Sequence, residues 1–181
     1  MARHTMFRSL HDVGLAAWFG GTLANAVALN PASAQAGSST SSGRVANAGW
    51  DAWTPVNAAA IGSHLVGSVG LLLANRTRLA TQEGVATMAA IKTGVTVAAL
   101  GATAYSRLLG QRVSEQTDVP VESATEPSGR TPSDTANAQQ QLSALQWAIP
   151  ALTGLLIVVS AFAGEQQRPG EVRQGIMNRF S

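Results

Sequence analysis

Four polar residues stand inside stretches of sequence that otherwise carry almost no charge. Three are ionisable, Asp12, His64 and Lys92, and the fourth is Asn25. Ionisable groups at membrane depth are costly, so they are the first candidates for proton transfer, ion movement or ligand binding. The sequence therefore directs attention to these four positions and assigns no residue a catalytic role.

A further histidine, His11, raises the question of a haem held between two imidazoles. Two axial ligands must lie at a similar depth. A rise of 1.5 Å per helical residue places His64 about 16 Å inside the apolar boundary and His11 at its edge. The sequence therefore predicts no haem, no other cofactor and no metal. The simpler interpretation has His64 bonding a neighbouring polar group and Lys92 extending toward the interface near Asp12.

Four long apolar stretches must position these residues. They cover residues 13–29, 55–75, 85–109 and 144–164, and each is close to the 20 or so residues that cross a bilayer. A soluble, Ala-rich bundle is the alternative, but its helices would carry a polar face, which the second and fourth stretches lack. The sequence predicts an all-α integral membrane bundle of four transmembrane helices, forming one membrane domain over residues 1–181.

Composition narrows the classes of function. Only 12% of the 181 residues are charged, and the net charge is +2 without clustered bases, which excludes a nucleic-acid partner. The chain has no cysteine, so disulfides, thiolate metal sites and thiol nucleophiles are excluded. Its predicted partners are the lipid bilayer and either further copies of itself or a larger membrane complex.

The connecting segments differ in composition from the apolar stretches. Residues 31–49 are rich in Ser, Gly and Ala, which predicts a flexible outer loop. Residues 112–141 carry acids, Pro, Ser and Gln, which predicts a disordered outer loop. In the tail, residues 165–181, the apolar spacing after Pro169 is compatible with a short surface helix or with a frayed end.

The arginines predict an orientation. Arg outnumbers Lys eleven to one, and seven of these bases fall in the N-terminal segment, the link near residue 80 and the tail. The positive-inside rule then places both termini on the cytoplasmic side of the membrane. The Arg-, Ala- and Gly-rich composition indicates a bacterial protein, so we expect this membrane to be a bacterial cell membrane. The alternative is a signal peptide cleaved near Ala34 or Ala36, which would leave three spans.

Small residues recur every four positions in three of the stretches and predict helix packing. Close backbone approach between small residues holds membrane helices together. The positions are Ala16, Gly20, Ala24 and Ala28; Ala59, Ser63 and Gly67; and Ala90, Gly94, Ala98 and Ala102. We expect Gly20, Gly67 and Gly94 to be the helix-packing glycines, either within the bundle or between subunits.

Two functions remain open from sequence. The first is a non-catalytic accessory, scaffold or assembly subunit, because no reactive groups converge in the pattern. The second is a small transporter or channel component that uses Asn25, His64 and Lys92 along a polar path. The two differ in whether those three side chains meet at one cavity.

Overall fold

The computed structural model describes residues 4–115, 119–165 and Met177, and the described part is helical without an extended strand. Helix α1 spans Thr5–Ala24 and continues through a π-helical turn, Asn25–Leu29, into the short helix α2, Asn30–Ser33. Four further helices follow: α3 is Ser39–Ala74, α4 is Arg76–Thr81, α5 is Val85–Ser114 and α6 is Ser133–Glu165.

Four segments are long and apolar enough to cross a membrane. They are α1 with α2, then α3, α5 and α6, with lengths of 29 to 36 residues. This confirms the prediction of an all-helical chain with four apolar helices. Each helix is longer than its apolar stretch, because polar residues at the ends, such as Asp134, continue the same helix.

The four long helices alternate in direction, because contacting residues run in opposite order along neighbouring helices: α1 and α3 meet at Gly14 with Ala60 and at His11 with Gly67, and α3 and α5 meet at Asp51 with Arg107. We call the end at which α1 begins and α6 finishes the terminal end, and the opposite end the loop end. Helix α1 lies at the centre, packed against α3 on one side and α6 on the other, and α6 also packs along α5. Helices α3 and α5 touch at only a few positions, so the bundle stays open between them.

The buried core lies around α1. Leu15, Trp18, Ala60, Ala99 and Leu156 form one cluster drawn from all four long helices. Four buried positions of α1, at 11, 14, 18 and 22, are separated by steps of three or four residues, and Leu15 is buried beside Gly14. Steps of three and four keep one helix face against a neighbour at a shallow crossing angle.

The structure contradicts the flexible loop predicted for residues 31–49, because most of these residues are helical. Only residues 34–38 connect α2 to α3. The side chain of Ser38 accepts a hydrogen bond from the Ser41 backbone N–H, which caps α3, and Ala46 is buried one turn further on. Ser is a favoured residue at a helix N-cap, so the Ser-rich composition here starts a helix instead of breaking one.

The structure also contradicts the disordered loop predicted for residues 112–141 over most of its length. Helix α5 continues to Ser114 and α6 begins at Ser133. Between them, Val121 and Ala124 are buried at the loop end. The Ala124 backbone N–H donates to Ser33 Oγ at 3.1 Å, and Gln139 Nε2 donates to the Ser123 carbonyl at 3.1 Å. The surface helix predicted in the tail lies outside the described residues, apart from the exposed, helical Met177.

Candidate functional site

Close contact between α1 and α3 positions the polar residues at the terminal end. A Cβ on Gly14 would lie 2.5 Å from both the Ala60 carbonyl oxygen and the His64 backbone nitrogen. A Cβ on Gly67 would likewise press into the backbone at Phe7 and His11. The two glycines therefore let the backbones of α1 and α3 touch, and this contact sets His11 beside His64.

His11 links an acid to a base. Its Nδ1 lies 2.7 Å from Asp12 Oδ1, and its Nε2 lies 3.2 Å from Lys92 Nζ. A lysine ammonium only donates, so His11 accepts at Nε2 and donates its Nδ1–H to the carboxylate. The imidazole is 2% exposed, while the Asp12 side chain is 60% exposed. The result is a hydrogen-bonded chain that runs from the exposed Asp12 through the buried His11 to Lys92, which is half-buried.

His64 lies directly behind this chain. Its ring centroid is 4.5 Å from that of His11 and 6.2 Å from that of the buried Trp18. Its Nδ1–H donates to the His11 carbonyl oxygen at 3.3 Å. Within the described part of the chain, His64 Nε2 and Trp18 Nε1 are buried without a hydrogen-bond partner. His64 Nε2, an acceptor, and Trp18 Nε1, a donor, thus lie buried near each other without hydrogen bonds, and burying such groups unpaired costs free energy.

The contact between the two histidines contradicts the expectation that His11 and His64 lie at different depths. That expectation starts the apolar stretch at Val13, but α1 begins two turns earlier, at Thr5. His11 therefore lies inside the helix and contacts His64 in the last third of α3. The two rings are tilted by 47° with centroids 4.5 Å apart, and His11 Nε2 is hydrogen-bonded to Lys92, so the pair does not offer two axial ligands to one iron. The described residues contain no group of three or more metal-ligating side chains.

Asn25 is not part of this cluster. Its Nδ2 donates to the Gly21 carbonyl of its own helix at 2.9 Å, where the π-helical turn starts. Within the described residues, the Asn25 side chain makes no hydrogen bond to another helix. Of the three side chains that a polar path would need, His64 and Lys92 meet at His11, while Asn25 lies toward the loop end.

Asn30 is the polar residue that sequence reasoning missed. It is 2% exposed, donates from Nδ2 to Gln146 Oε1 at 2.8 Å and accepts from Trp50 Nε1 at 3.1 Å. One side chain thus ties α2, α3 and α6 together at the loop end. Its sequence neighbourhood, next to Pro31 in an apparent loop, carried no signal for this role.

A groove follows the gap between α3 and α5, and we call it the α3–α5 groove. It contains a terminal-end cavity of about 360 Å³, lined by His11 and Lys92 among apolar side chains. It also contains a loop-end cavity of about 300 Å³. Leu100 lines both cavities, so the two follow one another along α5.

The lining of the loop-end cavity carries hydrogen-bonding groups that have no partner among the described residues. Arg107 lines it and lies 3.6 Å from Asp51 across the gap. Trp53 Nε1, Asn57 Oδ1 and Thr103 Oγ1 also belong to lining residues, and each is buried without a partner in the described part of the chain. The groove therefore presents hydrogen-bonding groups at both ends and apolar surface between them.

The predicted packing glycines have different surroundings. Gly67 contacts the α1 backbone, but nothing lies within 4 Å of a Cβ built on Gly20 or Gly94. Of the two alternatives for these glycines, packing within the bundle is therefore excluded for Gly20 and Gly94 among the described residues, and packing between subunits stays a prediction. Positions four apart rotate by about 40° per step around a helix, so a strict four-residue stripe leaves the contact face. The glycines that do pack against another helix's backbone or side chains are Gly14, Gly21, Gly49, Gly67, Gly70 and Gly154.

Comparison of the chain with protein-family models, curated proteins and solved structures gives no match. The chemistry of the site therefore rests on its own geometry.

Proposed function

We propose that this chain is a small multi-pass protein of a bacterial cell membrane and acts as a non-catalytic accessory or assembly subunit. The four apolar helices support membrane insertion, and so does the outer surface. Soluble monomers rarely expose apolar patches above a few hundred Å². Here large apolar side chains on every long helix are more than half exposed: Val13, Val66, Leu73, Val97, Leu108 and Phe162.

One observation carries the assembly role. The small-residue stripe of α1, formed by Ala16, Gly20, Ala24 and Ala28, is exposed along its whole length. Beside it, Ala24, Ala28, Gly49, Ala52 and Trp53 line a shallow open depression between α1 and α3. A small-residue surface of this kind is what a neighbouring transmembrane helix needs for close backbone contact. The neighbour is a second copy of this chain or a helix of another subunit.

Crosslinking in native membranes tests this role. The chain has no cysteine, so a single cysteine at Ala24 can be joined to a neighbour by a short thiol-directed crosslinker without background from the chain itself. We expect an adduct, either a dimer or a heavier complex, and its loss when Gly20→Leu is added. A cysteine at Val158, exposed on α6, is the matched control and should give none. Equal adducts at both positions, or none at Ala24, would contradict the proposal.

The proposed orientation keeps both termini in the cytoplasm, as the arginine distribution favours. A cysteine at Ser9 should be protected from a membrane-impermeant thiol reagent in intact cells, and one at Gln35, exposed at the loop end, should react. Labelling at Ser9 would reverse the orientation.

A second function, proton-coupled transport, is supported by the Asp12–His11–Lys92 chain and by His64 behind it. Hydrogen-bonded ionisable groups that reach from the surface into a cavity can pass protons. In proteoliposomes, an imposed pH gradient should dissipate faster with the protein than without it, and His64→Phe should abolish the difference. Equal leak in protein-free vesicles would remove this candidate.

A further inference from the structure

The terminal-end cavity has the size and lining of a ligand site. Its volume of about 360 Å³ falls within the range of small-molecule pockets, which begins near 300 Å³. Apolar side chains of three helices form most of the wall: Leu65, Val69, Leu72, Leu79, Val97 and Leu100. The cavity opens sideways between α3 and α5, where a membrane helix faces lipid.

Lys92 is the exception in this apolar wall. Its ammonium has three donors, and within the described residues it makes one hydrogen bond, to His11. The same residues place no carboxylate within 4.0 Å of Lys92; Asp12 acts on it electrostatically from a longer distance and is linked to it by hydrogen bonds through His11. Leaving an ammonium in an apolar setting without an anion in contact is costly. The cavity therefore presents a positive charge that a bound anion would neutralise.

The charges around the cavity also favour a bound anion. Arg78 lines it, held by Gln82 Oε1 at 3.0 Å and by Asn75 Oδ1 at 3.2 Å. Burial lowers the pKa of Arg78, although a guanidinium stays charged at neutral pH. Arg8 adds a further positive charge close enough to act on Lys92. The acids at this end, Asp12, Glu83 and Glu165, are exposed and do not line the cavity.

We propose that the terminal-end cavity binds one anionic phospholipid from the adjoining leaflet. Its phosphate lies against Lys92, on the side toward Arg78, and one acyl chain runs along the α3–α5 groove toward Leu100. That path follows eight residues of α5, or about 12 Å, which an acyl chain readily covers. A lipid in this position supplies the contact that α3 and α5 do not make with each other. This inference is independent of the proposed assembly surface on α1.

Lipid addition to the full-length protein in neutral detergent tests the proposal. Thermal unfolding is followed by tryptophan fluorescence with phosphatidylglycerol, phosphatidylcholine or sodium phosphate at equal concentration. We expect phosphatidylglycerol to raise the melting temperature and the other two to leave it nearly unchanged. Equal stabilisation by both lipids would overturn the charge argument. Stabilisation by phosphate alone would show a free-anion site and overturn the lipid assignment.

Variants locate the site. Lys92→Gln should weaken the phosphatidylglycerol response at least about fivefold in lipid concentration, the factor for one basic group near a lipid surface. Lys92→Arg should retain most of it. Arg107→Gln removes a cation from the loop-end cavity and should respond as the wild type does. A wild-type response from Lys92→Gln would refute the site.

A second variant keeps the test decisive if Lys92→Gln does not fold. Val97 lines the cavity but is 62% exposed and lies outside the His11 cluster. Val97→Trp should fill the cavity and remove the phosphatidylglycerol response while leaving the lipid-free melting temperature close to that of the wild type. An undiminished response from this variant would overturn the proposal.

Discussion

The α1–α3 contact and the α3–α5 groove place the same helix, α3, against two very different neighbours. On one side, Gly14 and Gly67 bring backbones together without side chains between them. On the other side, α3 and α5 touch only at a few positions, and cavities of about 360 and 300 Å³ separate them. The closed side buries His11 and His64, and the open side leaves Lys92 facing a cavity.

The comparison shows what decides whether neighbouring helices close. Small residues are abundant on both α1 and α5, yet only those in step with the buried face make contact. Gly14 falls among the buried positions of α1 that are separated by steps of three or four residues, whereas the exposed Gly20 does not. On α5, the exposed Gly94 is likewise turned away from the other helices. Register relative to the neighbour, more than the number of small residues, therefore determines packing.

The largest expected effect comes from filling the closed side. Gly14→Ala and Gly67→Ala should each lower the free energy of unfolding by about 3 kcal/mol, because the new Cβ meets backbone that cannot move aside. Gly20→Ala and Gly94→Ala are matched controls with open space around the new atom, and they should stay within about 1 kcal/mol of the wild type. Reversible unfolding in mixed detergent micelles measures all four. Four equal values would remove the distinction between the two sides.

The loop end offers the next test. Asn30→Ala should cost about 2 kcal/mol, because it leaves the Trp50 N–H and the Gln146 carbonyl oxygen without their partner in a buried place. Asn25→Ala is the control, since Asn25 bonds only the backbone of its own helix, and it should cost less than half as much. The same unfolding assay decides. A larger effect at Asn25 would contradict the role assigned to Asn30.

The smallest expected effect lies along α5. Leu100 is half-buried and packs against the core cluster, so Leu100→Ala should cost about 1 kcal/mol. Gly94→Leu adds a large side chain to open space and should leave the stability of the monomer unchanged. Thermal melting of the detergent-purified monomer compares them. A greater loss from Gly94→Leu would mean that the α5 stripe is covered after all.

Sequence reasoning found the four helices and three members of the polar cluster, because charge in a long apolar stretch is visible without a structure. It could not find the partners, since the depth of His11 depends on where α1 begins, and Arg8 and Asp12 continue the helix instead of ending it. His11 was considered and set aside on that ground. The two loops were misjudged for a related reason, because composition does not reveal a cap such as Ser38.

Apart from the expectation that Lys92 lies near Asp12, the sequence could not predict the contacts between residues that are far apart along the chain. Asn30 reaches Gln146 across 116 positions, and Lys92 reaches His11 across 81. The local sequence at Asn30 and at Gln146 does not predict their hydrogen bond, because an Asn beside a Pro is typical of a turn. The stripe on α1 was correctly seen as a row on one helix face, but which face a neighbour covers depends on the packing of the whole bundle.

The central claim is that α1 and α3 form a fixed pair while α5 stands apart from α3, and distances between spin labels test it most directly. Labels at Val13 and Val66 report on α1 and α3, and labels at Val66 and Ile91 report on α3 and α5; all three positions are exposed, Ile91 does not line the terminal-end cavity, and the chain has no cysteine of its own. We predict one narrow distance distribution for the first pair in detergent and in lipid nanodiscs. For the second pair we predict a broader distribution that narrows when phosphatidylglycerol replaces phosphatidylcholine. Equally narrow distributions that ignore the lipid would contradict the account.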